Sequence, residues 1–265
     1  MIPNHRGRAQ SSPFEDLERY CMFIGYPRSG HSLIGSLLDA HPDAVIAHEL
    51  DALAYVRQGM SKKQLYELLL ERSQGFTEAG REWNGYAYRI PNQWQGRFRK
   101  LRVIGDKKGG KSTRTLASDF DFLHRLQRTV ATDVRFIHVI RNPYDNIATM
   151  FKQSCRNRSL SDTVRWYLAL CESNAYIKSQ AGSEAVFDLR HEDFVREPER
   201  ILADLCEFLE LEHGEDYLAD CASLVYESPH KSRYDTDWDA GSLALVRDGI
   251  DSYGFLRGYS YEDLG

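Results

Sequence analysis

The stretch from residue 21 to residue 42 limits the fold more than any other. CMFIG (21–25) is apolar and reads as a short buried strand, and YPRSG (26–30) carries a proline and a glycine that break it. In SLIGSLLDA (32–40), Leu33, Ser36/Leu37 and Ala40 recur at helical spacing until His41-Pro42 stops the run. Strand, tight glycine loop and helix, in that order, open an α/β unit of the kind that binds nucleotides.

The alternation runs on. SKKQLYELLLER (61–72) predicts an amphipathic helix with Leu65, Leu68 and Leu69 on one face and Ser61 as its N-cap. LRVIG (101–105) and VRFIHVI (134–140) predict strands, the second ending at Arg141-Asn142-Pro143. Helices are expected over 144–155 and 161–180, a strand over AVFDL (185–189), and a helix over 198–211 with proline in its first turn. Beyond residue 226 the chain is rich in Gly, Ser, Asp and Tyr and reads as loop. The expected fold is α/β: a P-loop-containing three-layer sandwich whose central, mostly parallel sheet is flanked by helices. Residues 1–18 read as a flexible N-terminal arm and 19–265 as a single domain.

Composition narrows the class of function. Hydrophobic residues make 42% and charged residues 28% of the chain, values typical of a soluble domain. No apolar run approaches the roughly 18 residues of a membrane span. A net charge of −5 disfavours nucleic acid as a partner. The five cysteines (Cys21, Cys155, Cys171, Cys206, Cys221) are odd in number and widely spaced, against both a disulfide framework and structural zinc. The nine histidines include no H-x-x-x-H pair, so no metal is expected. MIPNHRGRAQSSPFEDLERY has no apolar leader core, which makes a cytoplasmic location the expectation.

Two segments compete as phosphate loops. Gly25-Tyr26-Pro27-Arg28-Ser29-Gly30-His31-Ser32 has the spacing of G-x-x-x-x-G-K-[ST] with His31 in place of the lysine. Such a loop turns backbone N–H groups toward an anion at a helix N-terminus, and Arg28 adds a permanent charge. Gly105-Asp106-Lys107-Lys108-Gly109-Gly110-Lys111-Ser112 matches the pattern literally. Its context is weaker: LRVIG is short, KSTRTLASDFDF has poor apolar periodicity, and no hydrophobic strand ends in a magnesium-binding aspartate. A basic surface loop is the plain alternative for it.

FIGYPRSGHSLIGSLLDAHPD resembles the 5′-phosphosulfate loop of sulfotransferases that use 3′-phosphoadenosine 5′-phosphosulfate (PAPS). Arg141, followed eight residues later by Thr149, is similar to that superfamily's 3′-phosphate site, with threonine for serine. PRSG…LLDAHPD is especially similar to protein-tyrosine sulfotransferases and bacterial relatives. The resemblance implies transfer of a sulfuryl group from PAPS to a hydroxyl or amine, without a metal. It implies Arg28, Ser29, Gly30, His31 and Ser32 at the 5′ end of the donor and Arg141 with Thr149 at the 3′ phosphate. It also implies Glu49 as the general base and Lys107 as the cation that meets the transferred group. Arg28 would hold leaving-group oxygens. His48 is the rival base, because its ordinary pKa suits proton transfer. LRHEDF (189–194) resembles a strand-end motif that sets His191 near the adenine, with Glu192 and Asp193 orienting loops. SPHKSRYDTDW (228–238) is similar to a closing loop that offers Lys231, Ser232 and Arg233 to the 3′ phosphate.

The acceptor is a small molecule, a glycan or a peptide on this reading. REWNGYAYRIPNQWQG (81–96) carries Trp83, Tyr86, Tyr88 and Trp94 beside Arg97, Arg99, Lys100 and Arg102. These rings and charges suit an acceptor face. The plainer expectation is a β-hairpin with its aromatics packed on the core. Two other functions stay open: an ATP/Mg²⁺-dependent P-loop kinase working through Gly105–Ser112, and a nucleotide-binding module without turnover.

Overall fold

The structure is a computed structural model that describes residues 12–119, 121–153 and 158–262. In chain order its elements are β1 (Arg19–Gly25), α1 (His31–Leu38), β2 (Ala44–His48), α2 (Ala52–Arg57), α3 (Lys62–Glu78), β3 (Glu82–Trp83), β4 (Tyr86–Ala87), β5 (Val103–Lys107), α4 (Gly110–Ala117), α5 (Phe122–Val130), β6 (Asp133–Ile140), α6 (Pro143–Gln153), α7 (Leu160–Ala181), β7 (Val186–Arg190), α8 (His191–Arg196), α9 (Pro198–Phe208), α10 (Glu215–Ala222) and α11 (Ala240–Ser252).

Five strands form one parallel sheet in the order β2-β5-β1-β6-β7. Strand β1 lies at its centre and is buried on both faces, which is why no charged residue follows Arg19 in it. Successive side chains go to opposite faces. Tyr20, Met22 and Ile24 join a core with α2, α3 and α5, while Cys21 and Phe23 join a second core with α1, α9 and α10. A third core links α6, α7 and α11. The expected α/β sandwich is present, and its strands all end on one side. There Gly25 is level with Val139 and His48 with Lys107.

Four expectations need correction. Strand β2 was not foreseen: AVIAH is only five residues long, and it becomes a strand by pairing with β5. The second strand runs to Lys107 rather than stopping at Gly105, so the residues taken for a loop are sheet. Beyond residue 226 the chain is not loop alone. Asp239 caps α11 by accepting the N–H of Ser242, and Val246 and Ile250 are buried from it. Helices α5 and α10 also went unseen among polar residues. Of the expected arm, residues 1–11 lie outside the described residues. Within 12–18, Phe14 and Leu17 pack on the first core. The helix expected to reach residue 155 is described to Gln153, and 154–157 lie outside the described residues.

Candidate active site

The loop after β1 turns sharply. Arg28 has φ 69° and Gly30 has φ 106°, and α1 begins at His31 with no side chain capping its first turn. The His31 ring points inward instead of toward solvent. Its Nε2 donates to the Ile24 carbonyl at 3.0 Å, and its Nδ1 lies 3.1 Å from the Ser29 hydroxyl. Burial lowers its pKa to about 4, so it is neutral at pH 7 and fixes the loop from beneath. His191 lies directly behind Gly30, where a Cβ would come within 2.9 Å of its Nδ1. That Nδ1 is buried without a partner, and burial lowers the His191 pKa to about 3.

Beside this loop, the end of β5 meets the end of β2. Lys107, 1% exposed, donates to the Ser32 hydroxyl at 2.9 Å and to Glu49 Oε1 at 2.6 Å. Lys108 reaches Glu49 Oε2 at 2.7 Å. Burial alone would raise the Glu49 pKa, but Lys107 and Lys108 overcome it and hold the carboxyl below its ordinary range. Glu49 and Asp51 are both left-handed, at φ 60° and 67°. The bend is held by Asp106, a buried residue of β5 that accepts the N–H of Leu50 at 3.1 Å and of Ala52 at 2.8 Å. Burial raises the Asp106 pKa to about 6, and the two N–H donors offset part of that rise.

His48 sits on the other side of Glu49. Its ring stacks on Phe76 at 4.0 Å and meets Trp83 edge-on at 5.2 Å. Its Nε2 is buried without a partner, and burial, with Lys107 nearby, lowers its pKa to about 3.

The end of β6 carries the second group of expected residues. Arg141 donates to the Arg28 carbonyl at 3.3 Å, to the Thr149 hydroxyl at 3.4 Å and to the His230 carbonyl. Its Nε is buried without a partner. Thr149 donates to Ser232 at 3.0 Å, which brings the 228–238 segment against this end. Lys231 opens the 3-10 turn Ser232–Asp235. Arg233 is held by Asp145, which pairs with its guanidinium and accepts its N–H at 2.9 Å. Glu192 accepts the Asn142 N–H at 2.8 Å and the Tyr259 hydroxyl at 2.7 Å, and so orients the β6–α6 turn. Asn146 donates to the Pro27 carbonyl at 2.7 Å, tying α6 to the first loop.

The literal phosphate motif is used otherwise. Gly105 lies inside β5, where a Cβ would stand 2.0 Å from the Cys21 carbonyl oxygen; glycine is there to let two strands approach. Gly109 has φ 51°, and its Cβ position is 2.8 Å from the His31 ring. Lys111 pairs with Asp51, and Thr113 donates to Asn174 and accepts the Gly25 N–H at 2.8 Å. Only Lys108 and Gly109 separate strand from helix, too short a span to wrap a phosphate chain.

The 81–96 segment does form a hairpin, but its aromatics are not core. Trp83 is 38% and Tyr86 48% exposed, and both strands lie at the surface. Its base is anchored by Arg81, buried against Asp39 at 2.7 Å, while Asp39 also accepts from Ser73. The basic run faces away: Arg99 pairs with Asp43, Lys100 with Asp16 and Arg102 with Glu18. Asp106 and the Asp39–Arg81 pair were missed in the sequence. The available signal was an aspartate directly after the apolar run 103–105 and another at the end of a predicted helix.

No described helix is long and apolar enough to cross a membrane, and no group of three metal-ligating side chains occurs among the described residues. A search of curated proteins finds no match. Among solved structures, the chain resembles the sulfotransferase domain of the Synechococcus PCC 7002 olefin synthase at 14% identity and TM-score 0.54, over 89% of this chain and 94% of that one. It resembles the sulfotransferase domain of the curacin biosynthetic pathway at 16% identity and TM-score 0.54, over 89% and 98%. Sulfotransferase STF9 from Mycobacterium avium aligns at 12% identity and TM-score 0.51, over 90% and 77%. These likenesses establish the shared fold. The model of the Sulfotransferase family matches residues 22–215, most of the sheet and both strand-end sites, and the chain belongs to that family.

Proposed function

We propose that the protein transfers the sulfuryl group of PAPS to an acceptor hydroxyl or amine by in-line displacement. One observation carries the reading: a single buried ammonium, Lys107, joins the hydroxyl of the first loop to the carboxylate of Glu49. A donor with anionic groups at both ends of a ribose needs two separate cationic sites. Arg28, Ser29, Gly30, His31 and Ser32 would take the 5′ end at the uncapped start of α1. Arg141, Thr149 and Ser232 would take the 3′ phosphate, flanked by Lys231 and Arg233. The buried, unpartnered Nε of Arg141 fits an absent acceptor there. His191, behind Gly30, would lie toward the adenosine.

In the transfer, the acceptor oxygen bonds to sulfur while the bond from sulfur to the 5′-phosphate oxygen breaks. Glu49 takes the acceptor proton, and the electron pair leaves with adenosine 3′,5′-bisphosphate. Lys107 and Arg28 neutralise charge on the moving group and leaving oxygens, a role worth most in a buried site. No metal enters this scheme. Glu49 is favoured over His48 because it touches Lys107, whereas His48 is stacked on Phe76.

Sulfur-35 transfer from labelled PAPS, to water and to a panel of acceptors, tests the reading. Wild type should turn over, while Glu49→Gln should lose about 10²–10⁴-fold in kcat with donor binding kept. Unchanged kcat in Glu49→Gln, with loss in His48→Ala, would move the base to His48. Donor binding without turnover on any acceptor would leave a binding module.

A further inference from the structure

On the reading that Arg141, Thr149 and Ser232 take the 3′ phosphate, we infer that His230 is a positioning residue for that group. Its imidazole donates to the Ser232 hydroxyl and so turns the Ser232 hydrogen toward the phosphate. The ring acts through Ser232 and not by touching the nucleotide.

A closed ring of hydrogen bonds carries the assignment. Arg141 Nη1 donates to the Thr149 hydroxyl at 3.4 Å, Thr149 donates to Ser232 Oγ at 3.0 Å, and Ser232 Oγ lies 2.8 Å from His230 Nδ1. The ring closes through the backbone, where Arg141 Nη2 donates to the His230 carbonyl. One residue therefore holds the guanidinium with its main chain and the neighbouring hydroxyl with its side chain.

Packing does not account for the imidazole. His230 is exposed, and among the described residues its ring makes one hydrogen bond, to Ser232. Ser232, by contrast, is 5% exposed, so its hydroxyl is confined to the partners around it.

Hydrogen counting gives the direction of that bond. A serine hydroxyl has one hydrogen and two lone pairs, and an imidazole nitrogen donates or accepts according to where its proton sits. With Nδ1 bare, Ser232 would spend its hydrogen on the ring and turn lone pairs toward the anion. With Nδ1 protonated, Ser232 accepts from both Thr149 and His230, and its hydrogen is left for a phosphate oxygen. An anion at this place selects the second arrangement, because a hydrogen bond to a charged acceptor is the stronger one. Arg141 is read the same way: Nη1 is taken by the Arg28 carbonyl and Thr149, while Nε has no partner. Arg141 Nε and the Ser232 hydroxyl are then among the donors left for the phosphate.

Isothermal titration with adenosine 3′,5′-bisphosphate and with 5′-AMP tests the inference. The proteins are wild type, His230→Leu, His230→Asn, His230→Gln, Ser232→Ala and the double variant His230→Leu/Ser232→Ala. His230→Leu should weaken the bisphosphate about tenfold and leave 5′-AMP, which has no 3′ phosphate, unchanged. His230→Asn, whose amide nitrogen can occupy the place of Nδ1, should restore affinity to within about twofold, and His230→Gln, one methylene longer, should not. The double variant should lose no more than Ser232→Ala alone, since His230 acts through that hydroxyl. Losses that add in the double variant, rescue by Gln as well as Asn, or equal weakening of 5′-AMP would make His230 a prop of the loop and overturn the inference. So would a His230→Leu that binds the bisphosphate as wild type does. Failure of the 3′-phosphate reading itself is seen separately, in wild type, as bisphosphate binding no tighter than that of 5′-AMP.

Discussion

Loops 25–32 and 105–112 share one spacing of glycines and both end on a serine, yet they are built for different work. In the first, β1 stops at Gly25 and the chain bends through left-handed Arg28 and Gly30 before α1 starts uncapped. In the second, the strand continues to Lys107, leaving two residues before α4. Its side chains turn toward neighbours: Asp106 to the 49–52 bend, Lys107 and Lys108 to Glu49, Lys111 to Asp51, Thr113 to Gly25. A pattern of glycines therefore does not specify an anion cradle. What decides is whether the strand ends before the pattern or runs through it.

Substitutions along the second loop can break this contrast. The largest effect is expected at Gly105→Ala, whose methyl would overlap the Cys21 carbonyl oxygen in the adjacent strand. It should cost about 3 kcal/mol or more in urea unfolding. A variant of normal stability that loses nucleotide binding would instead make Gly105 part of a phosphate loop.

Next comes Asp106→Asn. An amide offers one accepting oxygen to two backbone N–H groups, so the bend that presents Glu49 loosens and kcat should fall about tenfold. The pH profile identifies the cause. With a pKa raised to about 6, Asp106 is ionised and accepts both N–H groups above that pH, and takes up a proton as pH falls through it. Wild-type activity should decline below about pH 6, whereas protonation of Glu49 itself belongs below the ordinary carboxylate range. Asp106→Asn should be low at all pH values and lack that limb; a limb that survives the substitution belongs to another group.

The smallest effect is expected at Lys111→Ala. This half-exposed lysine pairs with Asp51 rather than facing the first loop, so bisphosphate affinity should stay within about twofold by calorimetry. A loss of a hundredfold would restore Gly105–Ser112 as a nucleotide loop.

The two strand-end loops proposed for the donor were legible in the sequence because each is local. A strand, a turn and a helix start lie within 21–40, and Arg141 and Thr149 lie eight residues apart in one strand-helix unit. The acceptor half was not, because it is assembled by tertiary contacts. Strand β2 exists only through β5, and Glu49 is shaped by an aspartate 57 residues away in sequence. The hairpin's rings were expected inside, as apolar residues usually are; the buried Asp39–Arg81 pair instead fixes its base and leaves the rings at the surface. Helix α11 was hidden in a Gly- and Ser-rich stretch whose cap, Asp239, is the clearest sign of it.

Isothermal titration with adenosine 3′,5′-bisphosphate, 5′-AMP and ADP with Mg²⁺, on wild type, Arg141→Ala and Lys111→Ala, tests the assignment of the first loop and the β6 end most directly. The account predicts tight binding of the bisphosphate alone, lost in Arg141→Ala and kept in Lys111→Ala. Tighter binding of ADP with Mg²⁺, abolished by Lys111→Ala and indifferent to Arg141→Ala, would contradict it.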